Sequence, residues 1–318
     1  MSRRRWLTAV LLCALILSGI VIYYVIKQPT PPPHIGIFYY AWYGALGTDW
    51  KPPKFIDYPV RILGNYSSAN ITVIKQQLVW IRDLGVNFVV ISWWGCKEND
   101  SYGQFIDSNA RKVFQVAEDN MINLKFAIMV EPYLGNGSSY DYSEIYNQVH
   151  NNFVEPYSSI YYNDSQPLIC FFNDPDNHPG LTPNGTIPYN DSRFSTVIVG
   201  QQSYVQWVYT DLDKWDKPKR MPYTNEISVT SRFDDSRLNR SKSCTVDPDL
   251  SQGIYDQEWK NAIQLWRDGK INTIMITSWN ECPERTEIEP HIDANATAYV
   301  NTTYYLYNKT EYYISQVK

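Results

Sequence analysis

His34-Ile-Gly-Ile-Phe-Tyr-Tyr-Ala-Trp42 is followed by an apolar-periodic segment, Ala69 to Leu84, that stops at Gly85, and then by Asn87-Phe-Val-Val-Ile-Ser-Trp93. This reads as strand, helix, strand. Both strand segments are nearly continuous apolar runs. A strand buried on both faces does not need to alternate, and such strands belong to parallel sheets covered by helices. The unit recurs downstream. A helical stretch from Gly103 to Asn120 leads to a strand at Leu124–Val130, and a helix near Tyr142–Phe153 leads to a strand at Leu168–Phe172. Thr196–Val199, Val205–Tyr209 and Glu226–Thr230 are further strands, and a helix from Asp256 to Arg267 precedes the last, Thr273–Thr277. Eight strands predict a (β/α)8 TIM-type barrel over residues 34–318. A doubly wound open sheet is the alternative, but no Gly-rich phosphate loop follows any strand. Helical periodicity lapses between Asn173 and Tyr223, and Ala296–Val317 reads as a closing helix.

Upstream, Trp6 to Ile26 is an uncharged apolar stretch preceded by Arg3, Arg4 and Arg5. At about 1.5 Å per residue it spans roughly 30 Å, one bilayer core. The predicted fold is therefore an α/β barrel preceded by a single N-terminal transmembrane helix. Residues 1–5 form a cytoplasmic n-region, 6–26 a signal anchor and 27–33 a Pro-rich stalk. The barrel then lies on the extracellular or lumenal side. Ser2 to Leu7 also loosely matches a twin-arginine export signal, which changes the route but not the side. Asn-x-Ser/Thr sequons support the same side. They begin at Asn65, Asn70, Asn99, Asn136, Asn163, Asn184, Asn190, Asn239, Asn295, Asn301 and Asn308, all after the anchor, and sequons mark exposed loops of exported proteins. Cys96, Cys170, Cys244 and Cys282 are compatible with two disulfides, and Cys244–Cys282 is the preferred pair.

The 318 residues carry 28 Lys plus Arg against 33 Asp plus Glu, a net charge of -5. That leaves no basic footprint for nucleic acid. No CxxC or Cys/His cluster is present, so no metal site is expected. The 4 scattered His give no Ser-His-Asp grouping. His34 reads as structural at the start of its strand, His178 as a turn residue and His291 as a binding candidate. With 26 Tyr and 11 Trp, the chain is rich in side chains that stack on flat, half-polar ligands such as sugars.

In a barrel, reactive groups stand at the C-terminal ends of the strands. Those ends carry Tyr39, Tyr40, Trp42 and Tyr43, then Trp93 and Trp94, Glu131 and Tyr133, Asn173 and Asp174, and Asp234 and Asp235. The last strand ends in Ser278-Trp279-Asn280-Glu281, with Glu284 three residues on. Carboxylates among aromatic platforms are what glycosidic cleavage requires: one carboxyl protonates the leaving oxygen, and a second supports charge at the anomeric centre. Glu281 and Glu284 are the best pair. Pro283 biases Cys282 toward an extended conformation, so the segment does not simply continue as helix.

The segment Ile276-Thr-Ser-Trp-Asn-Glu-Cys-Pro-Glu-Arg-Thr-Glu-Ile-Glu289 resembles the signature of glycoside hydrolase family 99, the endo-α-mannosidases. Gly36-Ile-Phe-Tyr-Tyr-Ala-Trp-Tyr-Gly44, Gly64-Asn-Tyr-Ser-Ser68, Ile91-Ser-Trp-Trp94, Val130-Glu-Pro-Tyr133 and Phe233-Asp-Asp235 match in the family's order. The resemblance implies a (β/α)8 domain that cleaves α-mannosidic linkages within glycans, with retention and without a metal or other cofactor. Glu281 would take the proton of the substrate's own 2-hydroxyl to give a 1,2-anhydro sugar. Glu284 would protonate the leaving oxygen and then activate water. Tyr39, Tyr40, Trp93, Glu131 and Tyr133 would bind substrate, and the strand ends add Trp42, Trp94, Asp234 and Asn280 as binding candidates. An ordinary nucleophile-plus-acid pair is the alternative chemistry.

Three of the departures from the pattern flank Glu284. The family's Trp-His between the glutamates is Cys282-Pro283, and its following Gly is Arg285, a cation beside Glu284. These changes motivate two alternatives: a hydrolase of another α-glycan, and a non-catalytic glycan-binding or surface-layer protein on the same barrel.

Overall fold

The computed structural model describes residues 14, 30–44, 49–51, 55–61, 63–95, 100–132, 140–173, 187, 189–200, 225–240, 243, 245–293 and 303–318. The chain divides into units Met1–Pro32 and Pro33–Lys318, and every element below belongs to the second.

Seven strands pair in parallel: β1 (His34–Tyr39), β2 (Phe88–Trp93), β3 (Lys125–Val130), β4 (Gln166–Asn173), β5 (Ser195–Gly200), β6 (Glu226–Thr230) and β7 (Thr273–Thr277). Their order across the sheet is β5-β4-β3-β2-β1-β7-β6. This is the cyclic order of a barrel wall, with the break between β5 and β6. The closed eight-stranded barrel is therefore corrected to an open, half-barrel sheet of seven parallel strands among the described residues. The reason lies in the interval between the edge strands: the segment read as an extra strand, Val205–Tyr209, falls in 201–224, outside the described residues.

The transmembrane element of the predicted fold is corrected as well. No helix among the described residues is long and apolar enough to cross a membrane. The longest, Ser101–Asp119, carries Asp107, Arg111, Lys112, Glu118 and Asp119 and buries only one stripe. The stretch 6–26 lies outside the described residues except for Ala14.

Helices α1 (Ile71–Leu84), α2 (Ser101–Asp119), α3 (Tyr142–Val149), α4 (Ile254–Arg267) and α5 (Tyr305–Ser315) complete the architecture, and α3 runs on into a π-helical turn, His150–Val154. Their ends follow local chemistry. Asn70 Oδ1 accepts from the amides of Thr72 and Val73 at the start of α1, and Gly85 closes that helix at φ 88. Asp100 and Asp141 cap α2 and α3 in the same way. Such a cap is worth about 1 kcal/mol.

Strand alternation sorts the interior into two layers. Ile35, Ile37 and Tyr39 pack with Ile74, Leu78 and Ile81 of α1 on the helix side. Phe38 and Tyr40 join Val90, Met129, Cys170 and Met275 on the other side. Gly36 falls in this second layer, where an added Cβ would stand 2.4 Å from Met275 Sδ and 2.5 Å from Phe88 Cζ.

Candidate active site

The segment after β7 is held by its own backbone. Ser278 N donates to Thr286 O, Thr286 N to Glu281 O, and Ile288 N to Ser278 O and Trp279 O. Ser278 Oγ accepts from Glu281 N at 2.9 Å. Within this closed loop Cys282–Glu284 forms a single 3-10 turn. Pro283 fits its first positions, where no intrahelical donor is needed. Arg285 then turns left-handed at φ 55.

Asn280 joins this loop to β1. Its Oδ1 accepts from Tyr40 N at 2.8 Å, and its Nδ2 donates to Tyr40 O at 3.0 Å and to the Tyr66 hydroxyl at 3.2 Å. It is buried, and these bonds extend the β1–β7 ladder beyond the strand ends. The Tyr43 hydroxyl donates to Asn280 O and accepts from Cys282 N at 3.3 Å.

Glu281 is 4% exposed, and its Oε2 has no hydrogen-bond partner among the described residues. Burial raises its carboxyl well above the usual range; Glu284, Glu131 and Glu287 add to the rise, and Arg240 opposes it. Glu284, also buried, forms an ion pair with Arg240 at 2.5 Å. Glu131, at the end of β3, accepts from Ser92 Oγ at 2.9 Å. An aromatic wall adjoins the carboxylates. Tyr40 lies against Trp42 with centroids 4.4 Å apart, and Trp42 meets Trp94 at 5.7 Å and Trp94 meets Tyr102 at 5.1 Å. The charge of Glu281 helps raise the Tyr102 phenol, after burial and Asp49.

The structure thus gathers Glu281, Glu284, Glu131, Tyr40, Trp42 and Trp94. Tyr39 and Trp93 lie in the helix-side layer instead: the Tyr39 hydroxyl donates to Gln77 Oε1 at 2.6 Å, and Trp93 Nε1 to Asp107 Oδ1 at 2.8 Å. Asp234 accepts from Ser236 N and Oγ, and its other oxygen lies 3.9 Å from Arg285. Tyr133 and Asp174 are outside the described residues, as are Cys96, Cys244 and His178. Cys170 and Cys282 are free, buried thiols among the described residues; the expected partner of Cys282, Cys244, lies outside them.

Behind the loop lies a buried ion network that sequence reading missed. Arg285 does not face Glu284; it reaches Asp57 at 2.9 Å and Asp293 at 3.1 Å. Arg232, fully buried, reaches Asp57, Glu287 and Asp293 and donates to Arg285 O. The arginines pull the Asp57 carboxyl well below its usual range against burial. His291 accepts from Arg232 at Nε2 and faces Glu289 O through Nδ1, an arrangement that suits a neutral ring; burial, then Arg232, lowers its pKa. Potential ligand atoms of Asp57, His291 and Asp293 lie within 4.8 Å of one another, but Arg232 already engages all three side chains. His34 packs edge-on against Tyr162, as expected of a structural residue.

No protein-family profile matches the chain. Curated relatives do, two of them as follows. A glycoprotein endo-α-1,2-mannosidase of Xenopus laevis is 25% identical over 92% of this chain and 78% of its own length. The corresponding protein of Rattus norvegicus is 22% identical over 84% and 69%. Among solved structures, the GH99 endo-α-mannosidase of Bacteroides thetaiotaomicron superimposes with a TM-score of 0.65 at 20% identity, covering 91% of this chain and 98% of that one. A glycoside hydrolase-like protein gives 0.57 at 13% identity, covering 92% and 95%.

Proposed function

We propose that this chain, a glycoside hydrolase similar to family 99 in sequence and fold, cleaves α-mannosidic linkages within glycans, with retention, through Glu281 and Glu284. The observation that carries the reading is the placement of these two carboxylates. Both are buried on one closed loop at the C-terminal end of the parallel sheet, with Glu131 and the Tyr40–Trp42–Trp94 wall around them. The named activity of the two curated relatives and the ordered motif set point the same way.

In this reading Glu281 Oε2 takes the proton of the sugar's 2-hydroxyl. Its basicity is high because it is dry and surrounded by Glu284, Glu131 and Glu287, and a base of raised pKa accepts a proton more readily once it is ionised. The freed oxygen attacks the anomeric carbon and the bond to the leaving sugar breaks, while Glu284 supplies that sugar's proton. Water, whose proton passes to Glu284, then attacks the anomeric carbon and opens the 1,2-anhydro ring, while Glu281 returns its proton to O2. Half-buried Trp42 and Trp94 present aromatic surface to the apolar face of a pyranose.

The test uses the full-length protein and a panel of α-manno- and α-gluco-oligosaccharides, with Glu281→Gln and Glu284→Gln alongside, each checked for folding. Products of retained configuration from the wild type, lost by at least about 1000-fold in both variants, are expected. Turnover that survives in either variant would falsify the assignment. A second reading, glycan binding without cleavage, is favoured by one observation: the ion pair that ties Glu284 to Arg240. Binding by all three proteins with product from none would select it.

We also propose that the domain faces the outside of the cell or a lumen and carries N-linked glycans. Asn65, Asn70, Asn163, Asn190, Asn239 and Asn308, the sequon asparagines among the described residues, are all exposed. Protein from a glycosylating host should lose mass on peptide N-glycosidase treatment, and no loss at any of the six would count against the proposal.

A further inference from the structure

Arg240 lies outside the segments that match the family, in the Asn239 sequon, yet it is ion-paired to Glu284. Its Nη2 lies 2.5 Å from Glu284 Oε1 and its Nη1 3.3 Å from Asp235 Oδ2. Its side chain is 42% exposed, against 11% and 4% for the two acids. It therefore reaches in from the surface over buried carboxylates. The Ser236–Asn239 turn presents it: Leu238 N donates to Asp235 O, and Asn239 takes a left-handed φ of 55. The two other arginines near the loop, Arg232 and Arg285, are buried behind it and saturated by Asp57, Glu287 and Asp293.

We infer that Arg240 is a positioning residue of the cleft, a clamp that commits one oxygen of Glu284 to the guanidinium, fixes the plane of that carboxyl, and leaves Glu281 as the glutamate with a free oxygen. The inference rests on the reading that these two glutamates perform the cleavage. The planar fork of an arginine suits this task because it fixes geometry as well as charge, which the point charge of a lysine does not. The groups facing Glu281 are Glu284 from the 3-10 turn, Glu287 from the returning arm, Glu131 from the end of β3, Tyr43 and Cys282 beside the loop, and Tyr102 from α2. Against these acids and neutral groups, Arg240 is the charge that favours ionised Glu281. For Glu284 to protonate the leaving oxygen, the clamp must loosen when substrate enters.

The experiment compares full-length wild type, Arg240→Lys and Arg240→Gln. The first readout needs no turnover: the pH titration of the Glu281 carboxyl followed by 13C NMR, assigned with Glu281→Gln. Arg240→Gln should raise the midpoint by about 1 pH unit, and Arg240→Lys should leave it nearly unchanged. The second is the pH profile of kcat/KM on the oligosaccharide that the wild type cleaves. Its acid limb should move up by the same amount in Arg240→Gln. Arg240→Lys should keep the limb and lose about tenfold in kcat, because the fork is gone. The melting temperature is measured alongside, since removing the cation from two buried carboxylates also costs stability. A Glu281 midpoint and limb unchanged in Arg240→Gln would overturn the inference, and so would activity lost only in step with melting temperature. A midpoint that moves in a protein that cleaves nothing would uphold the clamp and defeat the hydrolase reading. A cleaving wild type, dead glutamate variants and an indifferent Arg240→Gln would do the reverse.

Discussion

Replacing Glu289 with Gln probes the polar layer beneath the loop that carries Glu281 and Glu284. Glu289 is 2% exposed. Gln77 Nε2 donates to its Oε1 at 2.6 Å, and the Tyr66 hydroxyl to its Oε2 at 3.0 Å. Burial pushes this carboxyl from 4.5 up to about 7, against the pull of those two hydrogen bonds. The folded protein thus holds the proton more tightly than the unfolded chain does. The resulting stabilisation is complete below pH 4.5 and is lost as pH rises through about 7. Above that, the folded state carries a buried charge that unfolding would return to water. At about 1.4 kcal/mol per pH unit, the shift from 4.5 to about 7 amounts to about 3 kcal/mol in all, of which about 2.5 falls between pH 5 and pH 8.

The amide in Glu289→Gln cannot ionise and keeps an acceptor for Gln77, but it must offer Tyr66 a donor where that hydroxyl now finds an acceptor. This rearrangement costs about 1 kcal/mol at every pH. Urea unfolding of both proteins at pH 5 and pH 8 measures the difference. The variant should gain on the wild type by about 2 to 3 kcal/mol between the two conditions. Glu258, Glu281 and Glu287, raised by burial, and Asp57, lowered by its arginines, are common to both proteins and cancel. A gap that does not change with pH would refute the argument.

Two further outcomes follow from buried groups. Arg232→Met removes the guanidinium that Asp57, Glu287 and Asp293 share and should lower unfolding free energy by about 3 to 5 kcal/mol; a loss below about 1 kcal/mol in urea titration would show that Arg285 alone can hold the network. Cys282 is free and buried, and burial pushes its thiol well above the usual range, so peptide mapping should find it unlabelled by a thiol reagent in the native protein and labelled after unfolding.

Much of the fold was legible because buried parallel strands declare themselves as apolar runs, and because helix ends are written in single residues such as Asn70, Asp100 and Gly85. The seven parallel strands coincide with seven of the eight runs read from the sequence. The eighth came from Val205–Tyr209, in a stretch without periodicity, and barrel closure depended on it. The site was legible in part for a related reason. Strand alternation separates Tyr39 from Tyr40: Tyr39 follows Ile35 and Ile37 to the helix side, Tyr40 follows Phe38 to the other. Trp93 follows Ile91 in the same way. Reading strand ends as a group hides this distinction, whereas the period of two reveals it. Contacts between distant segments left no such signal. Arg232 and Asp57 are 175 positions apart and Arg285 and Asp57 are 228 apart, and nothing local marks Arg240 as a partner of Glu284. Arg285 misled through its sequence adjacency to Glu284, because a left-handed residue turns its side chain out of the path of its neighbours.

The departures from the family signature can now be weighed by what they touch. Cys282 lies in the inner core layer, and its amide donates to the Tyr43 hydroxyl. Pro283 occupies the first turn of a 3-10 segment, where its missing donor costs nothing. Arg285 takes a left-handed conformation that Gly would adopt without strain. Here the strained residue is offset by Asp57, Asp293 and Pro248 O, which bind its guanidinium. The three departures thus belong to the support of the loop. The two carboxylates keep their own spacing, their burial and a loop whose backbone closes on itself. A cleft with its chemistry intact and its rim rebuilt would retain cleavage while changing which sugars fit beside the scissile bond. In the proposed reading, specificity then falls to Trp42, Trp94, Tyr102 and Arg240, the partly exposed groups around the buried acids.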